Sequence, residues 1–265
     1  MTTQKIAALL RLKAIEMSLN AKASHLASSL SCIDILTVLY EKILKINPKK
    51  PQERNRDRFI LSKGHAATSL YAILSHKGFF KKSYLKTYGQ KGSLLEEHPT
   101  PKLSGVEAAT GSLGHGLPIG CGLALSAKIS SKNFKTVILM GDGECNEGTV
   151  WESALFASSK NLNNLLAIVD FNNWQGIGRT KDITKLNPFK KKWESFGWKV
   201  IEIDGHNHKM IEKSFKLKKS NKPVLIIART IKGKGVSFME DDNNWHYRVP
   251  TKKELLLAKT ELDLD

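Results

Sequence analysis

The feature that most restricts the fold of this chain is a regular alternation of short apolar runs, glycine-containing turns and helical stretches. Four apolar runs have the length and composition of buried strands: KTVILM at 135–140, LLAIVD at 165–170, KVIEID at 199–204 and PVLIIART at 223–230. A helix is predicted at 149–161, between the first two runs, and another across roughly 207–219, between the last two. Strands that alternate with helices predict an α/β fold with a doubly wound, mostly parallel sheet and helices on both faces.

The N-terminal third of the chain begins with helical periodicity. MTTQKIAALLRLKAIEM is amphipathic and carries Glu16, which favours a first helix over a secretory leader. A second helix is predicted to start at Ser31, with Asp34 three residues later as an approximate capping box. RDRFILSKGHA at 56–66 predicts a short buried strand that ends in a turn. Because no repeat, low-complexity tract or linker interrupts the chain, residues 1–265 are predicted to form a single domain.

The charge of the chain is strongly basic, with 42 Lys and Arg, 25 Asp and Glu and a formal net charge of +17. Such a balance raises the possibility of a nucleic-acid-binding module, which would bind any duplex in a salt-dependent manner. The most basic stretch, 181–222, has twelve lysines, five acidic residues and no arginine, whereas base recognition favours arginine and stacking aromatic residues. A lysine-rich solvated surface is therefore the favoured interpretation, and no nucleic-acid partner is expected.

Two further properties restrict the location of the chain. No apolar run approaches the roughly 20 residues needed to cross a bilayer, so no membrane partner is expected. The three cysteines, Cys32, Cys121 and Cys145, have neither metal-site spacing nor the pattern of a disulfide framework. These observations predict a cytoplasmic protein.

Polar residues follow two consecutive predicted strands at the point where each strand ends. Gly141, Asp142 and Gly143 follow the first, and Asn172 and Asn173 follow the second. Ligands of doubly wound sheets bind outside the carboxyl ends of the strands, so Asp142 and Asn172 are expected to converge if the two strands are neighbours. Carboxylate and amide oxygens suit Mg²⁺ or Ca²⁺, and Mg²⁺ is commonly held together with phosphate oxygens. The pattern therefore predicts a metal–diphosphate site.

GDG followed about thirty residues later by NN resembles the thiamine diphosphate fingerprint, and the surrounding segments resemble transketolase. These segments occur in the order of that family: SKGHAA at 62–67, EEHPTP at 96–101, GVEAATGSLGHG at 105–116, GDGECNEG at 141–148, and IKGKGVSFME at 231–240 with WH at 245–246. The resemblance covers essentially the whole chain and stops where a single-chain transketolase continues into its second and third domains. It implies the N-terminal, cofactor-binding subunit of a split transketolase.

The resemblance also implies a site. Asp142 and Asn172 would be side-chain ligands of Mg²⁺, for which Ca²⁺ or Mn²⁺ can substitute, and the backbone carbonyl of Trp174 would be a third ligand. Trp174 replaces an aliphatic residue of single-chain relatives. The residues implied to bind thiamine diphosphate are His65, Gly111, Leu113, His115, Gly141, Asp142, Gly143, Glu144, Asn172 and His246. His115 departs from the glutamine of many single-chain relatives, and Glu147 corresponds to a glutamate near the dimer interface.

Four histidines are the implied catalytic residues: His25, His65, His98 and His246. His65 and His246 would contact the cofactor diphosphate and the reacting end of the substrate. His25 and His98 would bind sugar hydroxyls and transfer protons, because imidazole titrates near neutral pH. His76, His206 and His208 match no motif of the family and are interpreted as ordinary structural residues.

The reaction implied by the resemblance moves a two-carbon ketol unit from a ketose phosphate to an aldose phosphate, as in the pentose phosphate pathway. In the family, the glutamate that activates the cofactor lies in the second domain of a neighbouring chain. This chain is therefore expected to be inactive alone and to require a C-terminal transketolase subunit, in an assembly with two copies of each chain.

Four alternative functions remain open at the level of sequence. The chain could be the alpha subunit of a thiamine-dependent 2-oxo acid dehydrogenase, which shares the GDG fingerprint and also needs a partner. It could belong to a specialised ketol transferase of the same architecture, because sugar specificity lies largely in the partner. The others are the basic nucleic-acid-binding module and a degenerate, purely structural cofactor subunit.

Overall fold

The structure is a computed structural model that describes residues 1–216 and 220–264. The strands are β1 Arg58–Leu61, β2 Thr136–Gly141, β3 Leu165–Phe171, β4 Lys199–Asp204 and β5 Val224–Arg229. The α-helices of the described residues are α1 Thr3–Ala21, α2 Leu26–Ser31, α3 Ile33–Val38, α4 Ala67–Lys77, α5 Gly116–Ile129, α6 Gly148–Ser159, α7 Thr180–Ile183, α8 Phe189–Ser195, α9 His208–Ser214 and α10 Lys252–Glu261. The five strands form one sheet, so each apolar run predicted as a strand is confirmed.

The sheet is parallel throughout, with the strand order β1-β2-β3-β5-β4. β4 lies at the edge and the chain returns through α9 to place β5 between β3 and β4, so the connections do not simply follow the strand order. Parallel strands require crossover connections, which the intervening helices provide. The predicted doubly wound α/β fold is confirmed.

Hydrophobic side chains cover both faces of the sheet because alternate residues of each strand point in opposite directions. On one face, Leu139 and Ile168 belong to a buried cluster formed with α1 to α4. On the other face, Met140 and Val169 belong to a second cluster with α5, α6 and α8. Burial on both faces explains why the strands are nearly continuous apolar runs.

The prediction for the second helix is wrong at its start. α2 begins at Leu26, after His25, and ends at Ser31, and α3 follows from Ile33. Asp34 does not cap a helix, since its carboxylate accepts hydrogen bonds from Arg11, His206 and His208 in a buried cluster. The carboxylate that the local pattern assigned to capping is bonded instead to Arg11, which is distant in the chain.

Near the C-terminus, the predicted helix across 207–219 is shorter than expected. Asn207 caps α9 through its side chain, and α9 ends at Ser214. Residues 217–219 of the prediction lie outside the described part of the chain. Within that part, every helix is too short or too polar to traverse a lipid bilayer.

Candidate active site

The carboxyl ends of β2 and β3 bring the predicted metal ligands together. Gly141 is paired with Asp170 in the parallel register, so Asp142 and Asn172 leave neighbouring strands almost side by side. Thr180, the first residue of α7, donates its hydroxyl to Asp142 Oδ2 over 2.9 Å, and its backbone N–H donates to the Asn173 carbonyl over 3.0 Å. The convergence expected from the sequence is therefore present in the fold.

Asp142 is a buried carboxylate with no cationic group in direct contact with it in the described chain. Its side chain is 1% exposed, and burial raises its pKa from 3.8 to about 7. A carboxylate in this position is destabilised as an anion unless a cation compensates it. The environment of Asp142 therefore favours a bound cation.

The other predicted ligands offer oxygen atoms at the same edge. Asn172 Oδ1 accepts only the Trp174 N–H, over 3.0 Å, and the Trp174 carbonyl accepts no hydrogen bond from any described residue. One carboxylate, one amide and one backbone oxygen match the hard ligands of Mg²⁺. Among the described residues, no cluster of three or more His, Cys, Asp and Glu side chains is arranged for metal binding, so this mixed oxygen set is the candidate. The residues present fit a divalent cation.

Beneath this site lies a buried ion pair between Lys63 and Asp170. Lys63 Nζ also donates to the Ser28 carbonyl over 2.9 Å, and Asp170 accepts from Ser31 and Thr230. Burial opposes the charge of Asp170, but the hydrogen-bonded Lys63 ammonium outweighs it and lowers the pKa of Asp170. Asp170 is thereby fully occupied by protein groups, which leaves Asp142 as the available carboxylate.

Glu144 connects two loops of the site rather than pointing outward. Its buried carboxylate accepts the hydroxyl of Ser62 and the backbone N–H groups of Gly114, over 2.9 Å, and Gly141, over 3.1 Å. Ser62 in turn accepts the Gly116 N–H over 3.1 Å. The carboxylate implied to lie against the diphosphate therefore bonds protein groups of two loops, and its role at the diphosphate stays a prediction.

Close backbone approach explains two glycines of the GSLGHG loop. A Cβ on Gly116 would lie 2.2 Å from Ser62 Oγ and 2.8 Å from Ser62 Cα. Gly111 has φ of +147°, and a Cβ there would lie 2.8 Å from the ring of His98. The N–H groups of Gly114 and Gly116 are occupied by Glu144 and Ser62. Those of Ser112, Leu113 and His115 donate to no described residue and lie just before the N-terminus of α5, where anions bind favourably.

Three of the four predicted catalytic histidines form one cluster. The ring of His25 lies 5.5 Å from that of His65 and 4.9 Å from that of His246, measured between centroids, and the last two are 6.1 Å apart. His25 has a left-handed backbone (φ 67°), and its N–H donates to the His246 carbonyl over 2.8 Å. An uncommon conformation of this kind in a non-glycine residue is typical of functional sites.

The clustered imidazoles are held neutral at neutral pH. Burial and the neighbouring Lys232 lower the pKa of His246 to about 3, and burial with Lys63 lowers that of His65 well below 6.5. Burial and His98 also lower the pKa of His25. Neutral imidazoles can both donate and accept hydrogen bonds.

The remaining predicted residues lie around this cluster at different depths. His98 is half-buried beside Gly111, whereas His115 is exposed and its Nδ1 lies 3.0 Å from the Leu113 carbonyl. Glu147 is exposed at the start of α6. The structure thus places His98 near enough to His25 to lower the pKa of that histidine, and it leaves His115 and Glu147 at the surface of this chain. The roles of all three stay predictions.

Two polar residues of the site were missed by the sequence interpretation. Lys232 is buried, donates to Asn243 Oδ1 over 2.7 Å and lies 3.1 Å from His246 Nδ1. Burial and Lys63 lower its pKa to about 8. Gln175 has a buried, unpartnered amide nitrogen and lies against Gly143. Lys232 lies inside the recognised segment IKGKG, and Gln175 lies two residues after the recognised pair Asn172 and Asn173. These positions were the available signal.

His206 and His208, interpreted as structural, are confirmed as such. Both donate to Asp34, over 2.7 and 2.9 Å, beside the Arg11 guanidinium. His206 Nε2 also accepts the Ile231 N–H over 2.8 Å, so this cluster holds the start of the segment that carries Lys232.

Comparison with known proteins agrees with this geometry. The family model described as "Transketolase, thiamine diphosphate binding domain" matches residues 2–265. The chain is 42% identical over 254 residues to one of the subunits of the apulose-4-phosphate transketolase of Phocaeicola vulgatus, covering 95% of this chain and 90% of that protein. It is 38% identical over 242 residues to the 6-deoxy-6-sulfo-D-fructose transketolase subunit SqwG of a Clostridium species, covering 90% and 88%.

The fold of the chain is also similar to that of solved transketolase structures. The crystal structure of transketolase from Campylobacter jejuni superposes with a TM-score of 0.95 at 34% sequence identity. The match covers 100% of this chain but 44% of that transketolase. The chain therefore belongs to the transketolase family, in which it corresponds to the N-terminal, thiamine diphosphate-binding domain.

Proposed function

We propose that this chain is the cofactor-binding subunit of a Mg²⁺-dependent transketolase that works with a separate C-terminal subunit. In this proposal it moves a two-carbon ketol unit from a ketose phosphate to an aldose phosphate. The observation that carries the proposal is the uncompensated carboxylate of Asp142, buried at the strand ends next to Asn172. A bound cation accounts most simply for a carboxylate at this depth.

The metal and the diphosphate would be held by different parts of the site. Asp142, Asn172 and the Trp174 carbonyl are the proposed Mg²⁺ ligands, and Ca²⁺ or Mn²⁺ is expected to substitute. The ammonium of Lys232, the amide of Gln175 and the loop N–H groups of Ser112, Leu113 and His115 would supply donors for phosphate oxygens. Charge balance supports this division, because a carboxylate faces the metal and a cation faces the anion.

The histidines are proposed to act on the substrate. Thiamine diphosphate, when bound, supplies the nucleophilic carbon that carries the two-carbon unit. Neutral His25, His65 and His246 would hydrogen-bond the hydroxyl and carbonyl oxygens of the sugar and hold or pass protons at Nε2 and Nδ1. His98, next to Gly111, would extend this surface towards the rest of the sugar.

A separate partner chain is part of the proposal. This chain matches less than half of the solved transketolase, and the relatives that are named as single subunits of a transketolase imply a second component in those enzymes. We propose that the partner supplies the activating glutamate and most sugar-phosphate contacts, and that two copies of each chain assemble with Glu147 near an interface. The exposed position of Glu147 is compatible with such a contact.

The family match favours a transketolase over the alpha subunit of a 2-oxo acid dehydrogenase. A specialised ketol transferase is the second candidate, because two similar relatives are named for apulose-4-phosphate and 6-deoxy-6-sulfo-D-fructose. We also propose a single domain over residues 1–265, which two apolar clusters on one sheet support. We also propose a cytoplasmic location, as the cysteine spacing of the sequence predicts.

Calorimetric titration of thiamine diphosphate with Mg²⁺ tests the proposal, using the chain alone and with the transketolase C-terminal subunit that accompanies it. We expect weak binding alone, tight Mg²⁺-dependent binding with the partner, and loss of both in Asp142→Ala. Turnover of ketose and aldose phosphates is expected only for the pair. Robust turnover by the single chain would contradict the shared site, and absence of binding in both states would contradict the cofactor site itself.

A further inference from the structure

Two loops at the carboxyl edge of the sheet carry most of the proposed site. The β3 loop, residues 172–179, follows β3 and includes the proposed metal ligands Asn172 and Trp174. The β5 loop, residues 231–246, follows β5 and includes Lys232 and His246. Because β3 and β5 are neighbouring strands, the two loops leave the sheet side by side. Their relative position decides whether a metal and an anion can be bound together.

The outer ends of the two loops are joined by three side chains, which we call the clasp: Trp174, Arg179 and Asp241. Arg179 donates two hydrogen bonds to the carboxylate of Asp241, both of 2.7 Å. Trp174 Nε1 donates to Asp241 Oδ1, also over 2.7 Å. The Arg179 guanidinium stacks on the Trp174 ring, 3.7 Å from its centroid. Each member of the clasp thus contacts the other two.

The clasp fixes backbone as well as side chains. Trp174 and Arg179 form an antiparallel bridge, and the Gln175 N–H donates to the Gly178 carbonyl over 2.8 Å, so the β3 loop is a tight hairpin. On the other side, the Asp241 N–H donates to the Lys232 carbonyl over 2.9 Å. Asp241 therefore bonds the side chain of Trp174 through its carboxylate and the backbone of Lys232 through its N–H.

A second connection lies beneath the clasp. Asn243 Nδ2 donates to the Gly176 carbonyl over 3.1 Å, while Asn243 Oδ1 accepts from Lys232. A Cβ on Gly176 would lie 3.2 Å from His246 Nε2, so the hairpin packs directly on this histidine. Movement of the β3 loop would consequently displace both the Trp174 carbonyl and the contacts of Lys232 and His246.

The clasp is exposed, which restricts what it can contribute. The side chains of Arg179 and Asp241 are 33% and 55% exposed. Hydrogen bonding to Arg179 lowers the pKa of Asp241, as expected for a formed ion pair. Exposed pairs contribute little to global stability, but bidentate arginine–carboxylate geometry gives strong orientation. The clasp is therefore expected to orient the two loops and to contribute little to the stability of the whole chain.

We infer that Arg179, Asp241 and the Trp174 ring are positioning residues that hold the β3 loop in its metal-binding conformation against the β5 loop. This inference rests on the proposed function, because it assigns the clasp to the proposed Mg²⁺–thiamine diphosphate site. The Trp174 ring has a role separate from that of its backbone carbonyl. The aromatic residue at this position, in place of the aliphatic one of single-chain relatives, provides the ring and the N–H that the clasp uses.

The test compares Arg179→Ala and Asp241→Ala with Glu202→Ala as a matched control. Glu202 is also an exposed partner of an arginine, Arg229, which stacks on Phe171 at 4.1 Å. We expect the dissociation constant for Mg²⁺–thiamine diphosphate to rise about tenfold in both clasp variants if the binding-competent loop falls to roughly a tenth of the population. Asp241→Asn, which keeps an acceptor for Trp174, is expected to be intermediate, and Glu202→Ala unchanged.

A second readout is independent of the cofactor. Hydrogen exchange of a peptide spanning the β3 loop is measured in the cofactor-free chain, together with the melting temperature. We expect faster exchange of this peptide in both clasp variants, with an unchanged melting temperature. Exchange of the same peptide in Glu202→Ala is expected to be unchanged. Assayed with the C-terminal subunit, the variants are expected to show a raised KM for the cofactor and a nearly unchanged kcat at saturation.

The outcomes separate this inference from the proposed function. If the parent chain binds the cofactor and the clasp variants bind equally well, the positioning role is overturned. Equal losses in Glu202→Ala, or losses that follow the melting temperature, would show a general structural effect and also overturn it. If the parent chain fails to bind with its partner, the proposed function fails, and unchanged exchange in the clasp variants would then reject the clasp separately.

Discussion

Thr180 and Asp142, which are 38 residues apart, are joined by a 2.9 Å hydrogen bond from the threonine hydroxyl to Asp142 Oδ2. This bond orients the carboxylate at the end of β2 but supplies no positive charge. Burial is therefore the largest influence on Asp142 and raises its pKa to about 7. The pair connects the first helical residue after the β3 loop to the proposed metal site.

Asp142→Asn is predicted to change the pH dependence of stability in the metal-free chain. Well below the ordinary pKa of 3.8, Asp142 is protonated in both the folded and the unfolded chain, so its contribution is fully present there. As pH rises towards 7 the unfolded chain releases this proton first, and stability is lost. Asn lacks this penalty, so we expect the variant to gain up to about 4 kcal/mol over the parent between pH 4 and pH 8.

Urea unfolding at these two pH values, with a chelator present, measures the difference. The exposed Asp182→Asn is the control, because its effect should be the same at both pH values. A parallel pH dependence for Asp142→Asn and the parent chain would contradict the buried, uncompensated carboxylate.

Asp34→Ala is predicted to destabilise the chain strongly. The residue is 5% exposed and its carboxylate accepts two hydrogen bonds from the buried Arg11, so its loss leaves the guanidinium with the Lys234 carbonyl but without an anionic partner. Breaking a buried pair in this way costs about 3–5 kcal/mol. Denaturant unfolding measures the cost, with Glu16→Ala of the exposed Lys13–Glu16 pair as the control, expected below about 1 kcal/mol. Similar small losses in both variants would disprove the buried cluster.

Glu144→Gln tests whether this residue positions the glycine loop. The NH2 group of the glutamine would face either the Gly141 N–H, or the Gly114 N–H together with the Ser62 hydroxyl, so at least one donor loses its acceptor at a cost of about 1–3 kcal/mol. Glu152→Gln on the exposed side of α6 is the control and should change stability little. Thermal unfolding that fails to distinguish the two variants would argue against the role of Glu144.

Gly116→Ala is predicted to disrupt the entrance of α5. The added methyl group would overlap Ser62 at 2.2–2.8 Å, including its backbone Cα, which costs about 1–3 kcal/mol or more. Gly122→Ala in the same helix has open space around the new methyl group and should stabilise by about 0.5–1 kcal/mol. Opposite signs in chemical denaturation are therefore expected, and a shared sign would contradict the close approach.

Local patterns in the sequence were sufficient for the strands and for much of the site. A buried strand such as LLAIVD followed by NN could be recognised because parallel strands are apolar on both faces and end in polar residues at a ligand site. Asp34 was assigned wrongly because its partners Arg11 and His208 are distant in the chain, and local capping patterns contain no such information.

Some side chains of the site had no detectable signal. Arg179 and Asp241 are 62 residues apart, and each alone resembles any surface charge. Their pairing follows from the adjacency of β3 and β5, which is a consequence of the β4 edge position in the sheet. Lys232 lies in a recognised segment, but only its burial separated it from the many solvated lysines.

The sequence by itself determined the α/β fold, the order of its elements and the residues Asp142, Asn172, His25, His65 and His246 as candidates. The fold and the pair Asp142 and Asn172 follow from apolar periodicity and short motifs, which act over a few neighbouring residues, whereas the three histidines were implied by the resemblance to transketolase. Only the tertiary structure decided that Asp170 is neutralised by Lys63 whereas Asp142 is not, and that Glu144 turns inward. Charge compensation and desolvation depend on neighbours in space, and those neighbours exist only once the sheet and its loops have formed.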